Sequence, residues 1–322
     1  MLSRREILIA AGAAGVAALV RPVTTVFAHA SQPSTTVNFA VPADACDCHT
    51  HIFGDPRPFP FAPTRVYTPE TASIAETRAL HKALHISRIV VVQPTVYGTD
   101  NSCTIDAIKH LSPNSRGAVM VDENITDAAL ADMDHAGIRA IRINLETVGQ
   151  TDPSASRRRL QAAVDKIKGS KWHIEVYTRL SVIEALQDQV QASPVPVSFD
   201  HFGGAQAALG VQQPGFNTLL DLLRSGNTYV KISAAYRAST EAPDYPDVAP
   251  LAKAMIAANP RRILWGTDWP HPAQIKGRKA TEITPLWQID DGRIFNLLPE
   301  WAPNPELRKT ILVENPARLY GF

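Results

Sequence analysis

From about residue 40 onward, short apolar runs alternate with longer amphipathic stretches. Such alternation marks β-α units that feed a parallel sheet. It predicts strands over Ala45–Ile52, Arg88–Gln93, Gly117–Val121, Arg139–Leu145, His173–Tyr177, Val195–His201, Tyr229–Ser233 and Ile263–Gly266. Between them it predicts helices over Ser73–His85, Ala128–Ala136, Ala155–Lys168, Val182–Gln191, Phe216–Arg224 and Val248–Ala258. Asn101-Ser102 reads as the start of one further helix, and Thr126 as the cap of another. Eight strands with intervening helices are the count of a (β/α)8 TIM barrel, an α/β fold, here a single domain over residues 31–322. An open doubly wound sheet is the alternative. It would show a glycine-rich turn after the first strand, where this chain has Gly54-Asp55-Pro56.

The first 30 residues break this pattern. Ser3-Arg4-Arg5-Glu6-Ile7-Leu8 resembles a twin-arginine export motif. An apolar stretch from Ile7 to Val20 follows, too short for the roughly 20 residues of a bilayer span. Ala28-His29-Ala30 then supplies a small-x-small cleavage pattern. The expectation is a cleaved signal peptide, recognition by the twin-arginine (Tat) export machinery, a periplasmic enzyme and no stable membrane anchor. An uncleaved anchor is the alternative. Residues 31–40 read as a flexible lead-in.

Composition narrows function by exclusion. The formal net charge of the 322 residues is +1, which gives no electrostatic footprint for nucleic acid. The three cysteines, Cys46, Cys48 and Cys103, cannot all pair within one chain. They read as buried small hydrophobes without a disulfide framework. Nothing in the sequence sets an oligomeric state.

The chemistry lies at strand ends. In a TIM barrel, catalytic groups sit at the C-terminal mouth of the strands. The first strand reads Ala45-Cys46-Asp47-Cys48-His49-Thr50-His51. Strict alternation places Asp47, His49 and His51 on one face. The sixth strand ends in Phe199-Asp200-His201-Phe202-Gly203-Gly204, and the eighth in Gly266-Thr267-Asp268-Trp269-Pro270-His271. A lone His-x-His is weak, but His49, His51, His201 and Asp268 would all converge on one mouth. By parity Arg142 and Asn144 of the fourth strand and Tyr177 of the fifth face the same cavity.

These motifs resemble the amidohydrolase superfamily and, within it, the branch of 2-pyrone-4,6-dicarboxylate lactonase, which also holds sulfomuconolactone hydrolase and sugar-lactone enzymes. The likeness runs to the closing Glu314-Asn315-Pro316-Ala317-Arg318-Leu319-Tyr320. It implies hydrolysis of a small-molecule lactone by water. Asp268 would act as general base, and His49, His51 and His201 would hydrogen-bond the lactone carbonyl. Arg142, Tyr177, Asn144 and Arg237 would contact substrate, Arg237 because Ala235-Tyr236-Arg237 resembles a substrate-contacting motif of the branch. A salt bridge from Arg142 to Glu175 is the competing structural role.

Many amidohydrolases take a metal ligand from a fifth-strand histidine, whereas Tyr177 ends this strand and His173 lies about 13 Å lower at roughly 3.3 Å per residue. The expectation is therefore no cofactor, with one zinc on His49, His51, His201 and Asp268 as the alternative. The chain also departs from the pyrone-dicarboxylate pattern. Glu146-Thr147-Val148-Gly149 and Gly204 stand where that pattern has further arginines, which points to a less anionic lactone. A metal-dependent amidohydrolase or decarboxylase, and a non-catalytic periplasmic binding protein, are the rival readings.

Overall fold

The computed structural model of the chain describes residues 30–322, apart from 274 and 276. Its main sheet has eight parallel strands in sequence order: β1 (Cys46–Thr50), β2 (Arg88–Val92), β3 (Ser115–Val119), β4 (Ile138–Asn144), β5 (His173–Tyr177), β6 (Val197–Phe199), β7 (Thr228–Ser233) and β8 (Ile263–Gly266). Every predicted strand is present, β5 and β8 with the predicted bounds. The outer ring includes α1 (Ile74–Ala83), α2 (Ser102–Leu111), α3 (Asp127–His135), α4 (Pro153–Ile167), α5 (Leu180–Gln191), α6 (Phe216–Ser225) and α7 (Ala249–Ala258). The expected TIM barrel is the fold, and the predicted helices are in place. Thr126 caps α3 by accepting from Ala129 N at 3.2 Å. Asn101 is no cap: its side chain clamps the backbone of Met120 instead, and Asp100 accepts from Ser102 N.

The barrel closes where β8 meets β1. His51 N donates to Trp269 O and Asp268 N donates to His49 O, each at 2.8 Å. Gly266 makes this seam possible, because a Cβ there would lie 2.8 Å from both the backbone nitrogen and the Cβ of His49. Asp47 staples it from outside. Its Oδ1 accepts from His49 N and Thr267 N at 3.0 Å each, and its Oδ2 from Thr267 Oγ1 at 2.6 Å.

This corrects the expected face of Asp47. The β1–β2 register shifts between Asp47 and Thr50, the mark of a bulge that re-aims side chains. Cys46 and Cys48 pack inward with Val90, Val92, Ala118, Ala140 and Leu264, while Asp47 turns outward to His81 of α1, 3.2 Å away. His49 and His51 still point into the barrel. All three cysteines are free and buried, as expected. Tyr320, on the closing helix α8 (Asn315–Tyr320), plugs the opposite end and donates to Glu175 Oε1 at 2.7 Å.

Residues 31–40 are not a loose lead-in. Trp269 Nε1 donates to Ser31 O at 2.8 Å, and the hydroxyls of Ser34 and Thr35 both bond Asp290. Asn38 and Thr36 pair with Asn296, and Phe39 packs edge-on against Phe295. The predicted export segment lies outside the described residues except for Ala30, which is buried. Among the described residues no helix is long and apolar enough to cross a membrane.

Replacing Gly266 with Ala should force backbone apart at the seam. The expected cost is about 1–3 kcal/mol, seen as a lower urea midpoint with an unchanged slope. An unaltered midpoint would show that the seam has slack.

Candidate active site

The four predicted residues converge. Asp268 Oδ1 lies 3.2 Å from His51 Nε2, 3.5 Å from His49 Nε2 and 3.6 Å from His201 Nε2. All four side chains are buried. Three of the local backbones are left-handed: His201 has φ 50°, Ala234 φ 54° and Asp268 φ 63°. For non-glycine residues that costs roughly 1–3 kcal/mol each and concentrates at functional sites. After β6 the left-handed run continues through Phe202, Gly203 and Gly204. A Cβ on Gly204 would lie 2.3 Å from Thr178 O, so no side chain fits there.

The two oxygens of Asp268 have different surroundings. Oδ2 accepts from Tyr236 Oη at 2.5 Å and Arg237 Nε at 2.6 Å. Oδ1 is buried and makes no hydrogen bond to a described residue. Burial alone would push this carboxyl up, but its neighbours, Arg237 foremost, hold it well below the usual carboxylate range. Burial pushes His51 down to about 4 and His201 well below the usual histidine range. Those imidazoles are neutral near pH 7.

Beneath the mouth runs a buried chain of charges that the predicted set omits. Lys231 Nζ on β7 lies 2.7 Å from Glu175 Oε2, 3.1 Å from Asp200 Oδ1 and 3.2 Å from His49 Nδ1. Burial would raise the Glu175 carboxyl, yet Lys231 brings it down to about 2. Glu175 therefore pairs with Lys231 rather than with Arg142. A signal for this was in the sequence: a lysine amid Thr228-Tyr229-Val230-Lys231-Ile232-Ser233, on a parallel strand buried on both faces, must find anions.

A pocket opens above Asp268, His51 and His201, lined also by Arg142, Asn144, Tyr177, Arg237, Glu146 and Tyr67. Every predicted substrate contact thus faces it, and Tyr67 is an addition from the loop after β1. Arg142 donates to Gln93 O at 2.7 Å, and its nearest carboxylate oxygen, on Asp200, is 3.9 Å away. Asn144 Oδ1 accepts from Thr147 N and shapes the turn after β4. Tyr177 sets its ring edge against His201. At the rim, Glu146 is held by Arg179 through two contacts, at 2.5 and 2.9 Å.

The donor set fits a small cation in one respect. His49, His201 and Asp268 bring ligand atoms within 4.8 Å of one another. Tetrahedral zinc with bonds of about 2.0–2.1 Å spaces its ligands roughly 3.3 Å apart, close to the distances here. The outer partners divide. A ligating imidazole turns its other nitrogen to an acceptor or water; Nδ1 of His51 meets the Val92 carbonyl at 2.7 Å, whereas Nδ1 of His49 has the Lys231 ammonium at 3.2 Å and Asp200 Oδ1 at 3.4 Å.

A parallel barrel with His-x-His on its first strand and an aspartate after its eighth is the arrangement of an amidohydrolase. The amidohydrolase family model matches residues 46–322, and the chain belongs to that family. It is 36% identical over 303 residues to a 2-pyrone-4,6-dicarboxylate hydrolase of Comamonas testosteroni, covering 91% of this chain and 94% of that protein. It is 33% identical over 288 residues to a 4-sulfomuconolactone hydrolase of Hydrogenophaga intermedia, covering 88% and 91%. An apo crystal structure from Agrobacterium tumefaciens superimposes with a TM-score of 0.74 at 25% identity, covering 89% of this chain and 99% of that one.

Removing the guanidinium beside Asp268 should raise the carboxyl's pKa. A group with a depressed folded pKa stabilises the fold above its unfolded value and loses that contribution as pH falls through the folded one. Arg237→Gln should therefore move the ¹³C titration midpoint of Asp268 upward and weaken the fold at mildly acidic pH. A midpoint that stays put would remove Arg237 as the controlling neighbour.

Proposed function

We propose that this pocket hydrolyses a lactone carrying one anionic group, by direct attack of water and without a metal. The observation that carries the reading is Asp268 Oδ1: buried, unbonded among the described residues, and faced by three imidazole nitrogens, with the rings of His51 and His201 lining the pocket beside it. The relatives' names, both lactone hydrolases by chemistry, support the reaction class.

The roles divide by what each atom carries. His51 Nδ1 meets Val92 O at 2.7 Å. A carbonyl only accepts, so the neutral ring bears its proton on Nδ1 and leaves Nε2 as an acceptor. His51 thus differs from the expected carbonyl donor: it and Asp268 Oδ1 together receive the hydrogens of the attacking water. His49 and His201 donate from Nε2 to the lactone carbonyl. The Ser233 hydroxyl, 2.9 Å from Nδ1 of His201, serves as donor to that ring. Water adds to the carbonyl carbon as Asp268 takes its proton. The intermediate then collapses with rupture of the ring C–O bond, and Asp268 returns the proton to the leaving oxygen. The product is the open hydroxy acid.

Two observations support the metal-free form. The Lys231 ammonium backs His49, and Arg237 already neutralises Asp268. A bound zinc would supply Lewis-acid polarisation of the carbonyl, with His49, His51, His201 and Asp268 as its holders. The substrate's anion belongs on Arg142, the pocket guanidinium without a close carboxylate. Arg179, the guanidinium paired with Glu146 at the rim, is already taken and does not serve a second one.

Asp268→Asn should keep the fold and lower turnover of a responsive lactone at least 10³-fold, in purified protein whose metal content is measured alongside. Turnover unchanged in Asp268→Asn would remove the base. Activity that tracks zinc content and vanishes with chelator would replace the metal-free form. Across a lactone panel, monocarboxylated substrates should outperform dicarboxylated ones. Arg142→Met should raise KM for the anionic substrates roughly 10- to 100-fold, the loss of a charge-assisted hydrogen bond. Equal KM values in both proteins would place the anion elsewhere.

A further inference from the structure

Lys231 is fully buried, and the hydrolytic steps above leave it without a task. Its ammonium sits among Glu175, Asp200 and His49. These same three side chains bring ligand atoms within 4.8 Å of one another, a spacing suited to a cation; the cation there is Lys231. An ammonium has three N–H donors and no acceptor, so it meets Nδ1 of His49 as a donor. We propose that Lys231 is a positioning residue: by donating to Nδ1 of His49 it keeps that ring's proton on Nε2, aimed at the pocket floor where the lactone carbonyl lies.

The competing partner for Nδ1 is Asp200 Oδ1 at 3.4 Å. A proton on Nδ1 would serve that carboxylate but would also meet the ammonium, which is nearer at 3.2 Å. The opposite end of the ring agrees with the assignment. Nε2 has Asp268 Oδ1 at 3.5 Å, an acceptor. So a donor faces Nδ1 and an acceptor faces Nε2. His51 is arranged the other way, with the Val92 carbonyl holding its proton on Nδ1. The two rings of one His-x-His motif are thereby set in opposite tautomers. One polarises the carbonyl while the other receives a hydrogen from water. The kinetic part of this inference rests on the lactone reading; the tautomers themselves do not.

The test is ring ¹⁵N NMR of the full chain, deuterated and labelled at histidine, with peaks assigned through His49→Gln and His51→Gln. His49 should be protonated at Nε2 and bare at Nδ1, and His51 the reverse. A second protein, Lys231→Met with Glu175→Gln, removes one charge of each sign from the cage. There the His49 proton should move to Nδ1, toward Asp200. Turnover should fall about 10²-fold, the scale of losing one carbonyl donor, with KM little changed. A wild-type His49 protonated at Nδ1 would overturn the proposal, and needs no variant to fold. So would a double variant whose tautomer or turnover stays as in the wild type. Tautomers as expected in a protein that opens no lactone would sink the substrate reading and leave the tautomer assignment standing.

Discussion

The mouth of this barrel depends on how closely the eighth strand approaches the first. Gly266 removes the side chain that would hold the strands apart. Two backbone bonds then join His49 to Asp268 and His51 to Trp269, so the carboxylate and two imidazoles are fixed by main chain before any side-chain contact forms. Asp47 reinforces the join through its bonds to Thr267 and the backbone of His49. The seam therefore sets the 3.2 and 3.5 Å separations between Asp268 and these two histidines. The third histidine arrives from β6 by a left-handed turn that two glycines permit.

Below the seam, three cations (Lys231, Arg142 and Arg237) lie among three carboxylates (Glu175, Asp200 and Asp268). Burying such charges costs several kcal/mol per ion, and apolar residues of like volume would often serve stability as well. A chain of this kind on a barrel floor is better explained by what it does to the mouth. Equal numbers of each sign balance the site. In the proposed reading a weakly compensated Arg142 remains for a substrate anion, while Arg179 pairs with Glu146 at the rim.

Much of this was legible in the sequence, and the failures have physical causes. Strand order, the parity of Arg142, Asn144 and Tyr177, and the convergence of His49, His51, His201 and Asp268 follow from period-two alternation and the barrel's polarity. Alternation failed at Asp47 because a bulge is a local backbone event with no compositional mark. The strap over residues 31–40 was misread because its anchors, Asp290, Asn296 and Trp269, are some 240–260 positions away along the chain. Asn101 carries the composition of a cap yet spends its side chain on Met120, a choice made by tertiary contact. Lys231 was readable as a buried charge. Its partner could not be chosen without knowing which neighbouring strands present carboxylates at the same depth.

The depressed pKa of Asp268 stands against its proposed role as a base. A general base works best with a pKa near the working pH, yet Arg237 foremost holds Asp268 far below that. In water such a carboxylate would be a poor base. In the proposed reaction the proton leaves water as negative charge develops on the carbonyl oxygen, beside His49 and His201. The step moves one negative charge across the floor of a buried pocket; it does not create one. Arg237 lines the pocket, so in that reaction the cation that lowers the pKa stays near the displaced charge. In a low-dielectric site, keeping the number of charges constant is worth more than matching one isolated pKa. In the proposed reaction the same bonds that weaken Asp268 as a free base hold it ionised and leave Oδ1 open to the water.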